Sequence, residues 1–347
     1  MITRIEIDGF KSFADFSLDV PPFLVLVGAN NGGKSNLLEA VELARRVAAS
    51  GHVNPLFADE RGNTQELFHR HPDGETDNRF TVRLAFSGPG PAAAGYAVTI
   101  HAERTPRLTV RTSVETDGDV ARAELAAIRR LAPSPAAMRS PATLGDERAL
   151  VADGANLAAV LGRLKHSGDL SDLLVDATAV IKDLHDVETR VDSERLECDF
   201  VAEFGRGGRF RPNLLSDGTP RVLAILAAIH DRANPATLLV DEIETGLHPE
   251  CLWQLLRRLR DRTADGSGRQ VIVTTHSPVV VSHLIPDCGH SLRFLSRWTR
   301  GERDANGSLR SCSYTRALPV GSGGEPGTSA TPQEVHNYSG TVSGAVE

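Results

Sequence analysis

The segment Gly28-Ala29-Asn30-Asn31-Gly32-Gly33-Lys34-Ser35 has the residue types and spacing that hold a nucleoside triphosphate. It fits the pattern G-x-x-x-x-G-K-S. The glycines let backbone N–H groups converge on phosphate oxygens, and a helix opening at the lysine adds the positive end of its dipole. In that chemistry Lys34 reaches the β- and γ-phosphates and the Ser35 hydroxyl ligates Mg²⁺. Gly28, Asn30, Asn31, Gly32, Gly33, Lys34, Ser35 and Asn36 are the candidate nucleotide-binding residues.

Three further constellations follow along the chain. Asp241 and Glu242 end the apolar run Thr237-Leu238-Leu239-Val240. A buried strand that delivers acids to its C-terminal end is where open α/β sheets place ligand chemistry. Asp241 is the candidate Mg²⁺ ligand opposite Ser35, and Glu242 the candidate general base that polarises an attacking water. Ser216-Asp217-Gly218-Thr219-Pro220 precedes an apolar helical run, with Pro220 in the first turn. Taken alone it is a helix cap; with a hydroxyl and backbone N–H groups at a helix start, it can also meet an anion. His276 ends the strand pattern 271–273, placed to hold the attacking water or the γ-phosphate. Alone, such a histidine would be structural.

The elements that must position these groups can be read from periodicity. The apolar run 23–27 leads into the phosphate loop, and apolar spacing over 37–47 predicts the helix after it. Ile2, Ile5 and Ile7, then Phe16, Leu18 and Val20, predict two half-buried strands. A polar loop over 50–78 precedes strand-like runs at 80–86, 96–101 and 107–114, punctuated by Gly88-Pro89-Gly90-Pro91 and Thr105-Pro106. An antiparallel lobe over 80–115 is expected. Residues 120–183 are expected to form a helical insertion, with Leu125, Ile128 and Leu131 on one helix face and prolines at 133, 135 and 141 breaking it. Two strands, 187–191 and 196–204, should end in a Gly-rich turn carrying Arg206 and Arg209, with Arg211 just beyond. Helices and buried strands alternate from 214 to 294. The tail 320–347 is rich in Gly, Ser, Thr and Pro and is expected to lack structure, leaving 1–319 as one head.

The whole chain sets outer bounds. It has 347 residues, 40% apolar and 24% charged, with a net charge of −7. That balance argues against a surface coated for nucleic acid and leaves room only for a local basic patch. Arg206, Arg209 and Arg211 could touch nucleic-acid phosphates, although a solvated turn is the plainer reading. Arg257, Arg258, Arg260 and Arg262 read as the wet face of a helix. No apolar run is long enough to span a membrane, and Met1 leads directly into a strand pattern, so no membrane association is expected. The cysteines at 198, 251, 288 and 312 are far apart and read as free thiols, and His69 and His71 as loop residues. A cytoplasmic location is the expectation.

The order phosphate loop, Ser-x-Gly helix start, Asp-Glu strand, then His resembles the ABC class of ATPases. Ile7-Asp8-Gly9-Phe10-Lys11-Ser12-Phe13-Ala14 looks like the opening of chromosome-maintenance (SMC) ATPases. Gly246-Leu247-His248-Pro249 and the segment 153–161 look like the OLD-type and predicted AAA ATPases of prokaryotes. The resemblance implies an α/β P-loop NTPase of ABC-ATPase type that hydrolyses ATP with Mg²⁺. It also implies a head-to-tail homodimer sandwiching two nucleotides, in which Lys34 and Ser35 of one subunit face Ser216 and Gly218 of the other. Glu244–His248 would lie near that interface.

This sequence departs from the pattern in several places. Asp217 stands where transporters have glycine, and should point away from phosphate or cap its helix. Gln65 is the sole candidate for the family's metal-contacting Q-loop glutamine. Neither the long SMC coiled coil nor the OLD nuclease domain is expected, since few residues separate the phosphate loop from the Ser-x-Gly turn or follow His276. Three tasks compete for the ATP cycle: control of an effector such as a nuclease in DNA repair or antiviral defence, a slow nucleotide-gated clamp or scaffold, and a transporter motor. The opening sequence and the insertion disfavour the last.

Overall fold

The computed structural model describes residues 1–50, 64–71, 74–87, 96–104, 110–205, 207–234, 237–264, 268–277, 289–303, 309–320, 328–331, 333–335 and 337. In chain order the strands and helices begin β1 (Ile2–Asp8), β2 (Phe16–Asp19), β3 (Phe23–Val27), α1 (Lys34–Ser50), β4 (Arg79–Phe86), β5 (Tyr96–Arg104), β6 (Val110–Thr116) and α2 (Asp119–Ala126). Next come β7 (Ile128–Leu131), α3 (Pro135–Met138), β8 (Ala142–Thr143), α4 (Leu157–Ser167), α5 (Leu170–Val180), β9 (Leu184–Asp192), β10 (Glu197–Phe204) and β11 (Gly208–Phe210). The last are α6 (Gly218–His230), β12 (Thr237–Val240), α7 (Pro249–Ala264), β13 (Gln270–Thr275), β14 (Leu292–Arg303) and β15 (Leu309–Pro319). The chain divides into two units, 1–128 with 274–347, and 129–273.

In the first unit, β2-β1-β4-β5-β6 form one antiparallel sheet, so β1 and β2 join the strands of the 80–115 region. Phe80, Val82, Leu84 and Phe86 alternate inward along β4. Ile2, Ile5 and Ile7 are all buried although their spacing breaks a strict period of two. A register shift between Ile2 and Arg4 accounts for this, because the extra residue returns Ile2 to the inner face. A second group of strands sets β14 between β15, antiparallel, and β3, parallel, with Phe294 opposite Val27. Leu37, Val41 and Ala44 are buried at helical spacing on α1.

In the second unit, β12 runs parallel to β13 and lies between it and β7. Every residue of β12 is buried, as is α6 from Thr219 to Ala227, so this helix is apolar on nearly all sides. A smaller antiparallel sheet, β11-β10-β8 with β9 also paired to β10, contains the two strands expected near 187–204.

Four expectations change. The span 120–183 holds helices, but two strands interrupt it, and Ile128 and Leu131 stand at the ends of β7, not on a helix with Leu125. Spacing of three buries both ends of a four-residue strand as readily as one face of a helix, and Pro133 blocks helical continuation. Arg258 and Arg262 are not simply wet: they reach Asp176, 2% exposed, which also accepts from His230 Nε2 at 2.8 Å. Arg209 pairs with Glu188 across the small sheet. The expectation of a structureless tail narrows, since Ala330 bridges to Val320 and Val335 is buried. The turn at 88–91, Thr105-Pro106, Arg206 and the tail from 338 onward lie outside the described residues.

Candidate nucleotide site

The phosphate loop connects β3, buried along its whole length, to the first turn of α1. Gly28 (φ 153°), Asn31 (φ 66°) and Gly33 (φ 98°) have positive φ, the backbone that lets successive N–H groups of such a loop converge on an anion. Close packing also demands glycine here. A Cβ at Gly28 would sit 2.2 Å from the Leu295 carbonyl oxygen on β14, and one at Gly32 2.7 Å from the same atom. At Gly33 it would meet Thr315 Oγ1 at 2.7 Å and Ser12 Oγ at 2.9 Å. The loop's back is thus pressed on β14 and β15, while Asn30, Asn31 and Ser35 are exposed.

Lys34, only 3% exposed, folds back over this loop. Its Nζ donates to the carbonyl oxygens of Gly28 at 2.6 Å and Ala29 at 2.9 Å, and lies 3.2 Å from His276 Nδ1. An ammonium can only donate, so Nδ1 accepts and the ring proton belongs on Nε2. The structure therefore brings together two residues far apart in sequence that the motif reading had assigned to one site. His276 is reached through β13, and the Ser277 N–H donates to Thr275 Oγ1 at 3.0 Å, which shapes the turn.

Sequence reasoning missed the brace beneath the loop. Asn36 Nδ2 donates to Ser12 Oγ at 3.1 Å, and the Thr315 N–H donates to the Ser12 carbonyl at 2.9 Å. Lys11 pairs with Glu39 of α1 at 2.5 Å. The Lys11-Ser12 opening therefore ties the first turn of α1 to the edge strands. Gln65 lies on a short 3₁₀ turn, Thr64–Leu67, which joins the same region through the Lys11 N–H to the Leu67 carbonyl at 2.9 Å.

In the second unit, Asp241 and Glu242 follow β12 as expected. Arg130 Nη2 donates to Asp241 Oδ2 at 3.2 Å. Glu242 is exposed and has φ 47°, a left-handed conformation that costs a non-glycine residue about 1 kcal/mol. Arg221, 7% exposed on α6, clasps this corner: its Nη2 donates to the carbonyls of Asp241 at 3.2 Å and Glu242 at 3.0 Å. Burial holds the Arg221 guanidinium below its ordinary pKa, against the pull of Glu244, Glu242 and Asp241.

Ser216 is exposed, and its Oγ lies 3.1 Å from Thr219 Oγ1. Asp217 makes no side-chain cap; its Oδ1 instead accepts from Arg139 Nη2 at 2.5 Å, which answers the charge expected to repel phosphate. Arg139 also donates to the Leu215 carbonyl at 2.9 Å. Gly218 is needed because a Cβ there would lie 2.6 Å from the Gly246 carbonyl oxygen. The Ser-x-Gly turn and the Gly246-Leu247-His248 loop are thus packed backbone to backbone. Arg130, Arg139 and Arg221 carried no spacing signal, since a salt bridge between distant residues leaves none.

A Gly-rich loop with a folded-back lysine, an acid-tipped buried strand and a Ser-x-Gly helix start define a P-loop NTPase head of the ABC class, of the SMC- and OLD-like type. The chain belongs to the family described as "AAA domain, putative AbiEii toxin, Type IV TA system", whose model matches residues 23–282. No curated protein matches it. Among solved structures, an Smc head bound to the C-winged helix domain of ScpA superposes with a TM-score of 0.57 at 14% identity, covering 90% of this chain and 97% of that one. The Smc head of Pyrococcus furiosus, solved with an extended coiled coil and the C-terminal domain of ScpA, gives 0.55 at 13%, covering 90% and 96%. The SMC head domain of Thermotoga maritima gives 0.51 at 15%, covering 92% and 99%. At such identities the likeness is one of fold. Among the described residues, no helix is long and apolar enough to cross a membrane.

Proposed function

We propose that the chain binds Mg²⁺-ATP and hydrolyses it as an ATP-sandwiched homodimer, and that this cycle gates a partner effector. The observation that carries the reading is Lys34, buried on the carbonyls of its own glycine-rich loop and within 3.2 Å of His276. A triphosphate on the loop would give the ammonium better partners than two neutral carbonyls. Ser35 and Asp241 would hold the metal, and both are the hard oxygen donors that Mg²⁺ takes. Asp241 already fits a cation, since the Arg130 guanidinium lies against it. When bound, the ion would neutralise charge on the β- and γ-phosphates.

Glu242 takes a proton from water as that water attacks the γ-phosphorus in line. The bond to the bridging oxygen breaks, leaving ADP and phosphate. His276 orients the water or the γ-phosphate. Ser216 and Gly218 of a second copy complete the site, so turnover needs two subunits. Gln65 is the remaining candidate contact to the metal. The family description names a toxin–antitoxin system, which supports a role in defence with an effector protein such as a nuclease as partner. A cytoplasmic setting agrees with that reading.

The test is Glu242→Gln beside Lys34→Ala, measuring ATP binding, turnover and molecular mass in ATP. Glu242→Gln should bind ATP, lose turnover and accumulate as a dimer, whereas Lys34→Ala should bind no nucleotide. Normal turnover by Glu242→Gln would refute the general-base assignment.

A further inference from the structure

We propose that Arg130 is a stand-in cation for Asp241: it holds the carboxylate until a divalent ion displaces it, and so sets the free Mg²⁺ level at which nucleotide is loaded. The proposal rests on the reading of Asp241 as a metal ligand. Both residues belong to the second unit, Arg130 on β7 and Asp241 just beyond β12, the strand that β7 flanks. Their 3.2 Å contact is made with Asp241 19% exposed, so the carboxylate is partly desolvated and gains from a counter-charge.

Two arginines meet this corner and divide the work. Arg221 is buried and donates to the backbone carbonyls of Asp241 and Glu242, while its charge is also attracted by their carboxylates. Arg130 grips the carboxylate itself, and its side chain is 33% exposed, giving the guanidinium a route to water that Arg221 lacks. The fit is also incomplete: Arg130 Nε, like Arg221 Nε, is buried with no hydrogen-bond partner among the described residues. A guanidinium that leaves would recover that bond from solvent.

A divalent ion and a guanidinium against the same carboxylate repel each other across a few ångströms of partly dry protein. Loading the metal therefore means moving Arg130, and the pair's stability is subtracted from metal affinity. For a pair exposed to this degree the effect is about fivefold.

The experiment is equilibrium binding of a fluorescent, non-hydrolysable ATP analogue to the full chain, titrated with free Mg²⁺. Arg130→Met should lower the Mg²⁺ midpoint about fivefold. Arg130→Lys, which keeps a cation, should return it toward the wild-type value. A midpoint that is unchanged or higher in Arg130→Met overturns the proposal. Arg130→Gln gives a second neutral variant should the methionine not fold, and the same drop is expected. Asp241→Ala separates the two levels of the argument. Wild-type Mg²⁺ dependence in that variant would refute Asp241 as a ligand, whereas its loss alongside an unmoved Arg130→Met midpoint refutes only the stand-in role. Thermal melting in chelator supplies an independent readout: Arg130→Met should melt lower than wild type without metal, and Mg²⁺ with nucleotide should close the gap. A gap that persists under loading contradicts the exchange.

Discussion

Replacing Arg221 with methionine tests whether the helix after Ser216 positions the general base. The side chain is 7% exposed and makes two hydrogen bonds to the carbonyls of Asp241 and Glu242, with a weaker one to Pro133 at 3.4 Å. Hydrogen bonds from a charged donor contribute about 1.5–3 kcal/mol each, but burying a guanidinium opposes them, so a net loss of about 3 kcal/mol is expected. For a unit of this size that lowers the melting temperature by roughly 10 °C. Methionine fills similar volume, so the loss is chiefly polar. The left-handed backbone at Glu242 then loses its clasp, and kcat should fall about a hundredfold, the lower range of what a positioned base supplies. At saturating Mg²⁺ nucleotide affinity should fall less than kcat, because Lys34 and the glycine-rich loop bind the phosphates without the Arg221 clasp. The assay pairs steady-state turnover below the melting range with equilibrium binding of a fluorescent ATP analogue. A variant that melts lower yet keeps kcat would show that Arg221 only supports the fold. A variant that loses affinity with kcat intact would refute the assignment outright.

Gly218→Ala should lower turnover while leaving nucleotide binding by the isolated subunit intact, since its Cβ would press within 2.6 Å of the Gly246 carbonyl oxygen; stopped-flow binding against steady-state rate checks this. Asp176→Asn should cost about 3 kcal/mol in urea melts at neutral pH, because it breaks a buried network with His230 and Arg262. Burial raises the Asp176 carboxyl, but hydrogen bonds from His230 and Arg262 outweigh it and hold the pKa below the ordinary value. A depressed carboxylate stabilises fully above its unfolded pKa and loses that contribution as pH falls through the folded one. The gap between wild type and Asp176→Asn should therefore narrow below about pH 4, and a gap that widens there contradicts the network.

What could be read in the sequence was chemistry carried by adjacent residues. The glycine-rich loop, the Asp241-Glu242 tip and the alternation of Phe80, Val82, Leu84 and Phe86 each depend on near neighbours, so spacing displays them. His276 was legible only through its order in the chain, and the structure sets it beside Lys34. The supports were hidden because they are contacts between distant segments. Nothing near Gly28 announces that the Leu295 carbonyl will crowd it, and nothing near Asp217 announces Arg139. Arg262 read as a solvated charge because a helical wheel shows which face a residue occupies but not that a buried carboxylate waits there. Ile128 and Leu131 were misplaced because their spacing suits two elements at once.

The central claim is that catalysis needs two copies of this chain. Its most direct test is Mg²⁺-ATP turnover per subunit, measured across a wide range of protein concentration with molecular mass followed in parallel. The account predicts a rate per subunit that climbs with concentration and levels off as the ATP-bound dimer fills. A constant rate per subunit over a range where the protein stays monomeric in ATP would contradict it.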